Sequence, residues 1–238
     1  MNIIRSILFN ILFFAANIIC CLGLLWIMVL PRDWAFKVLY HGYFGVIYQI
    51  EKFVLGLDFE VIGREHIPTD GSYVISMKHQ SAYETLKMFH IFGDCRIILK
   101  RELTYLPLWG WYAAKAGMIP VDRGARGKAV QSIITNSKPV IDAGVPIMIY
   151  PQGTRVSVTD TIEDKPYKQG AIRLYENFDI PILPVAMNSG KFWPRNAFFK
   201  KSGTITFKIL PIIPTGLKPQ EAFKKMRDVI ETESQKLL

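Results

Sequence analysis

Residues 7–30 form an almost unbroken apolar run, interrupted only by Asn10 and Asn17, and no charged side chain occurs from 6 to 31. As a helix rising 1.5 Å per residue, the run would be about 36 Å long, enough to cross a hydrocarbon core of about 30 Å. A cleaved signal peptide has a shorter apolar region, about 7–15 residues, ending in small residues. Here the run ends in Leu30, Pro31, Arg32, Asp33 and Trp34, which offer no such site. A retained membrane anchor is expected, either spanning the bilayer or dipping in and returning. A second apolar stretch, 34–57, is diluted by Lys37, His41, Gln49, Glu51 and Lys52. That composition predicts an aromatic-rich helix lying at headgroup level rather than a second crossing.

Beyond 57 the texture changes. Apolar runs of strand length alternate with Gly, Pro and Asp, predicting strands near 59–62, 73–77, 96–99, 118–121, 147–150, 182–186 and 204–209. Helical periodicity falls between them, near 83–92, 108–116, 127–143 and 168–177. A last helix begins near Pro219, with Phe223, Met226, Ile230 and Leu237 on one stripe. Segment 156–167 reads as an exposed loop. Strands alternating with helices of this length give an α/β layered domain at 58–238, behind anchoring helices at 1–57.

The net charge of +9 is patterned. Seven basic residues stand against two acidic ones in 96–128, and again in 165–201. A basic body behind an apolar anchor suits an anionic membrane face or a phosphorylated substrate. Nucleic acid would account for the charge but not for the anchor. Cys20, Cys21 and Cys95 have neither disulfide-framework nor metal-ligand spacing, and read as small buried hydrophobes.

Four histidines are present: His41, His66, His79 and His90. Only His79 closes an apolar strand and precedes a helix, the kind of loop in which catalytic groups gather. Five residues later comes Glu84. On a continuous helix the two side chains would diverge by about 140°, and on a strand they would point to opposite faces. A contact therefore requires His79 in the loop and Glu84 folded back from the helix's first turn. Ser81 and Glu84 also fit the S-x-x-E capping box. On spacing alone, Glu84 serves equally well as a cap or as the partner of His79.

The segment His79, Gln80, Ser81, Ala82, Tyr83, Glu84 resembles the H-x-x-x-x-D/E block of the glycerolipid acyltransferases. Three further blocks follow in order. Lys100, Leu103, Gly110 and Arg123 fall at the intervals of the second block, closed by Val121, Asp122, Arg123 and Gly124. Tyr150, Pro151, Gln152, Gly153, Thr154 and Arg155 resemble the third, which usually reads F-P-E-G-T-R. Leu183, Pro184, Val185 and Ala186, followed by Asn188, Ser189 and Gly190, match the fourth. Two departures stand out: Glu84 replaces a commoner aspartate, and Gln152 replaces a glutamate, losing the charge while keeping hydrogen-bonding capacity.

The resemblance implies a mixed-sheet acyltransferase fold without metal or bound cofactor. It implies transfer from acyl-CoA or acyl carrier protein to the free hydroxyl of 1-acylglycerol 3-phosphate. It also implies a place on the cytoplasmic face of the inner membrane. Other acceptors stay open, such as glycerol 3-phosphate, another lysophospholipid, or a lipid-A or amino-lipid precursor. So does a non-catalytic module binding anionic lipid. An alcohol is a poor nucleophile at neutral pH, so His79 is the candidate base and Glu84 the group that fixes its tautomer. No serine stands in a G-x-S-x-G setting, so direct transfer without an acyl-enzyme is expected. Gly153, Thr154 and Arg155, together with Gln152, Lys100 and Arg123, are the candidate substrate contacts. A forked guanidinium beside a flexible backbone is a good phosphate grip. For each cation the alternative is a solvated surface residue. Trp109, Trp111 and Tyr112 could border an acyl groove, with core packing the favoured reading.

Overall fold

The computed structural model describes residues 2–122 and 128–238. Its centre is a seven-stranded sheet in the order β1-β7-β6-β2-β5-β3-β4. The strands are β1 (Leu57–Ile62), β2 (Val74–Met77), β3 (Arg96–Lys100), β4 (Ile119–Val121), β5 (Ile147–Ile149), β6 (Ile182–Met187) and β7 (Gly203–Ile209). Every pairing is parallel except β6 with β7, so the sheet is mixed, as the family resemblance implied, within the α/β layering that the alternating pattern predicts. β2, β5 and β6 are buried along their whole length, which is why their sequences read as continuous apolar runs rather than alternations.

Helices cover both faces. They are α4 (Tyr83–Phe92), α5 (Trp109–Lys115), α6 (Lys128–Asp142), α7 (Gly170–Phe178), the short α8 (Ser189–Phe192) and α9 (Pro219–Lys236). α9 opens with proline in its first turn and buries Ala222, Met226, Ile230 and Ser234. The expected stripe holds at Met226 and Ile230. Phe223 is only partly covered, and Leu237 lies past the helix end. The 156–167 loop is pinned at both ends, where Val156 and Tyr167 are buried. The Tyr167 hydroxyl donates to Glu231 at 2.8 Å. In the second block, Gly110 has a packing reason: a Cβ there would collide with the carbonyl oxygen of Thr104.

At the N-terminus, α1 (Asn2–Gly23) is the one described helix long and apolar enough to cross a membrane. The following stretch is helical too. It runs through α2 (Arg32–Leu39), a π-helical turn (Tyr40–Phe44), α3 (Gly45–Ile50) and a second π-helical turn (Glu51–Leu55). One side of this stretch is folded against the protein: Ala35, Leu39, Ile47, Glu51 and Leu55 are all buried, while Trp34, Val46 and Phe53 stay exposed. One of the charges that dilute it takes part in that packing. Glu51 pairs inside the protein with Lys87 of α4, with neither side chain exposed. A carboxylate so held ties its helix to the body.

α1 is tied down as well. Ser6 and Asn10 bond the backbone around Lys200, the Tyr43 hydroxyl donates to Asn17 at 2.9 Å, and that of Tyr112 to the carbonyl of Cys21 at 2.8 Å. Phe9, wholly buried, meets Trp193 edge to face. The opposite side of α1 stays apolar and uncovered, with Ile4, Ile11, Phe14, Ile18 and Ile19 each more than half exposed.

Candidate active site

Because β2, β3, β5 and β6 are mutually parallel, their C-terminal ends lie along one edge of the sheet, where open α/β folds place their ligand crevice. β2 runs out into His79, β3 ends at Lys100, β5 leads into 150–155, and β6 leads into 188–190. Four segments distant in sequence thus converge on one spot.

The contact demanded by the His79–Glu84 spacing is present. His79 lies in the loop after β2, Glu84 sits in the first turn of α4, and Nδ1 of the ring is 2.8 Å from Oε1. That same oxygen accepts the backbone N–H groups of Gln80 and Ser81, each at 2.7 Å. The Ser81 hydroxyl in turn accepts from the N–H of Tyr83 at 3.1 Å. Capping and histidine partnering are therefore one arrangement rather than alternatives. The other carboxylate oxygen accepts from the Ser189 hydroxyl at 2.8 Å. Glu84, Ser81 and Ser189 are fully buried, so these bonds form away from competing water.

Four donors converge on Glu84, which acts only as an acceptor. Nδ1 of His79 must then carry the proton, leaving Nε2 with a free lone pair. The imidazole stacks on the ring of Tyr150 at 4.2 Å with 21° between planes, which fixes its second rotation. Side chain and tautomer are both set before any substrate arrives.

His79 stands in the wall of a cavity of about 550 Å³ with a mixed lining. Apolar groups come from Cys20, Cys21 and Leu24 beside α1, Tyr43 and Phe44, and Leu86 and Phe89 of α4. Polar and cationic groups come from Lys100, Gly153, Thr154, Arg155 and Arg195. Gly153 adopts φ 69°, a left-handed turn conformation that suits glycine and brings backbone to the cavity. The Arg195 guanidinium donates to the carbonyl of Arg155 at 3.1 Å, holding the two arginine-bearing segments together. Lys100 is half exposed and pairs with Glu102 at 3.0 Å.

Of the expected substrate contacts, Lys100, Gly153, Thr154 and Arg155 border the cavity with His79. Gln152 does not. Its side chain is 4% exposed, turned into the protein while its neighbours in the turn face the cavity. It sits in the buried part of the turn, off the cavity wall. Arg123 lies outside the described residues. Tyr112 is buried in the core, as expected, and also borders the cavity; Trp109 borders it while partly exposed, and Trp111 is exposed elsewhere. Cys20 and Cys21 border it too, while Cys95 is buried as expected. His90 packs instead among Tyr40, Tyr48 and Phe59, where burial and the nearby Lys87 ammonium push its pKa down to about 4.

Arg195 is a site residue that no motif revealed, and Ser189 entered only as part of the fourth block, with no role attached to it. Ser189→Ala removes one buried hydrogen bond to a carboxylate. It is expected to slow turnover by about tenfold, the equivalent of losing one bond to a charged group. Initial rates alongside a thermal melt test this, and an unchanged rate would remove Ser189 from the site.

A family model described as Acyltransferase matches residues 58–188. The 1-acyl-sn-glycerol-3-phosphate acyltransferase of Pseudomonas aeruginosa is 30% identical over 87% of this chain and 80% of its own length. The enzymes of that name from Saccharomyces cerevisiae and, as the alpha form, Homo sapiens are 30% and 31% identical over 76% and 71% of this chain. In those two the match spans only 61% and 60% of the relative. The crystal structure of the 1-acyl-sn-glycerophosphate acyltransferase of Thermotoga maritima superposes with a TM-score of 0.75 at 22% identity. It covers 99% of this chain and 97% of that one, a likeness of fold.

Proposed function

This chain belongs to the acyltransferase family, and on that premise we propose that it acylates the free sn-2 hydroxyl of 1-acylglycerol 3-phosphate to give phosphatidic acid. One observation carries the choice of acceptor: the reactive imidazole shares a single cavity with many apolar side chains and with Lys100, Arg155 and Arg195. A lysophospholipid carries the matching groups, an acyl chain, a phosphate and a free hydroxyl.

In the proposed reaction, Nε2 of His79 takes the hydroxyl proton as the alcohol oxygen attacks the thioester carbonyl. Glu84, bonded to Nδ1, stabilises the imidazolium that forms. Collapse of the tetrahedral intermediate breaks the carbon–sulfur bond. The departing thiolate recovers the proton from the imidazolium, so ester and thiol leave together. No acyl-enzyme is needed. The roles of base and orienting acid draw on side chains alone, and the thioester, from acyl-CoA or acyl carrier protein, is a substrate.

Arg155 offers the acceptor phosphate a forked pair of donors, with Lys100 adding charge and Arg123 assigned here by motif. Gln152, being turned away from the cavity, gives no reason to favour a different acceptor. Residues 1–57 act as the membrane-facing part and 58–238 as the catalytic body. The site lies at the cytoplasmic face of the inner membrane, where anionic lipid attracts the basic surface.

The test is a transfer assay in detergent with purified protein, acyl-CoA and lysophosphatidic acid. Absence of phosphatidic acid with either donor type would refute the reading. In the same assay Arg155→Ala is expected to raise the KM for the acceptor by roughly 10- to 100-fold with a smaller change in kcat, the loss of a charge-assisted bond. Arg155→Lys should recover only part of this, since it restores charge without the fork.

A further inference from the structure

Phe198 and Phe199 are each 55% exposed, with their rings edge to face at 5.1 Å. Two adjacent phenyl rings held in water are unfavourable, yet the loop that carries them is built to keep them there. Lys200 is almost fully buried behind them, its ammonium bonded to Asn10 and to the carbonyl of Phe198, and set against the rings of Phe9 and Trp193. Its backbone N–H and carbonyl are both taken by the Ser6 hydroxyl, and Asn10 donates to the Phe198 carbonyl at 3.1 Å. These bonds fasten the loop to the N-terminal half of α1, whose uncovered side is the apolar row of Ile4, Ile11 and Phe14. Lys201, directly after the tie, is exposed. At the loop's other end Arg195 borders the cavity mouth.

We propose that Phe198 and Phe199 form a second membrane-inserting element, a wedge that enters the acyl region of an anionic bilayer beside α1 and sets the cavity mouth at headgroup level. Attachment to the N-terminal half of the apolar helix α1 and the cation next to the wedge argue for lipid as the occupant. Two inserted rings fixed to a helix hold the body at one depth and rotation, which a single helix does not.

The full chain is titrated with unilamellar vesicles of phosphatidylcholine and phosphatidylglycerol, and bound protein is measured by flotation. Phe198→Ser/Phe199→Ser is expected to partition about tenfold or more less strongly, from the apolar area withdrawn. Phe198→Leu/Phe199→Leu should restore most of the binding. In the unaltered chain, amide hydrogens of 197–201 should exchange more slowly with vesicles present than in detergent-free dilution without them. Partition within twofold of the parent, or no slowing of that exchange, would overturn the wedge. So would altered self-association of the serine variant with partition unchanged, which would make the pair a seat for a second copy. No readout depends on turnover, so failure here leaves the transferase reading untouched.

Discussion

Replacing His79 by alanine lowers the rate of acyl transfer by about 10³-fold or more while leaving acceptor affinity nearly unchanged. The expectation follows from how narrowly this ring is specified. Glu84 holds Nδ1 at 2.8 Å, Tyr150 stacks the ring plane, and Nε2 is the one nitrogen left to face the cavity. A general base at such a position contributes roughly 10²–10⁴ in rate. No other imidazole borders the cavity among the described residues.

Glu84→Gln tests the second half of the pair. An amide keeps an oxygen for the backbone N–H groups of Gln80 and Ser81, so the cap survives and the protein should melt within a few degrees of the parent. What it loses is the charge that stabilises the imidazolium, with an expected fall of roughly 10²–10⁴ in kcat. Glu84→Ala is less informative, since it also strips four hydrogen bonds from a buried turn. Rates are measured at saturating donor, with acceptor binding followed separately. Wild-type turnover in His79→Ala would refute the proposed chemistry outright.

The second large effect is on stability. Lys87 lies one turn beyond Glu84 on α4, and its ammonium is buried against Glu51 of the N-terminal helical stretch, between the rings of Tyr48 and Tyr83. Burial pushes the Glu51 carboxyl up to about 7 and pulls the Lys87 ammonium below its ordinary range, so neither charge is at ease there. Each depends on the other. Glu51→Ala is expected to cost about 3–5 kcal/mol by leaving a buried ammonium without its counter-charge. For a chain of this size that is a fall of roughly 6–20 °C in Tm.

The double variant Glu51→Leu/Lys87→Met should recover most of the loss, because removing both charges removes the penalty with the attraction. As a reference, breaking the solvent-exposed Lys138–Asp142 pair should cost no more than about 1 kcal/mol. Thermal melts in detergent decide the matter; a Glu51→Ala melt close to the parent would show that water reaches the pair. Because α4 carries both Lys87 and Glu84, turnover in Glu51→Ala should fall even below its melting range.

Local physics made part of this protein legible from its residues in order. Apolar runs of strand length bounded by Gly, Pro and Asp placed the strands, because a buried strand is apolar along its own chain. The His79–Glu84 contact could be required in advance because five residues of loop and helix start leave few geometries. That α1 is a helix long and apolar enough to cross a membrane followed from an uncharged run of sufficient length.

Tertiary structure decided what depends on strand order. Ser189 reaches Glu84 across 105 residues only because β6 lies next to β2, and no spacing rule encodes that neighbour relation. Arg195 joins the cavity mouth for a similar reason, since the segment following β6 comes back beside the one following β5. Gln152 turned inward while Gly153, Thr154 and Arg155 turned outward, a matter of backbone turn geometry rather than of motif. Glu51 looked like a charge diluting an interfacial helix, and it found its partner 36 residues away inside the protein. Contacts close along the chain are set by φ and ψ over a few residues. Contacts far along it are set by which surfaces the sheet brings face to face, and only the folded molecule specifies those.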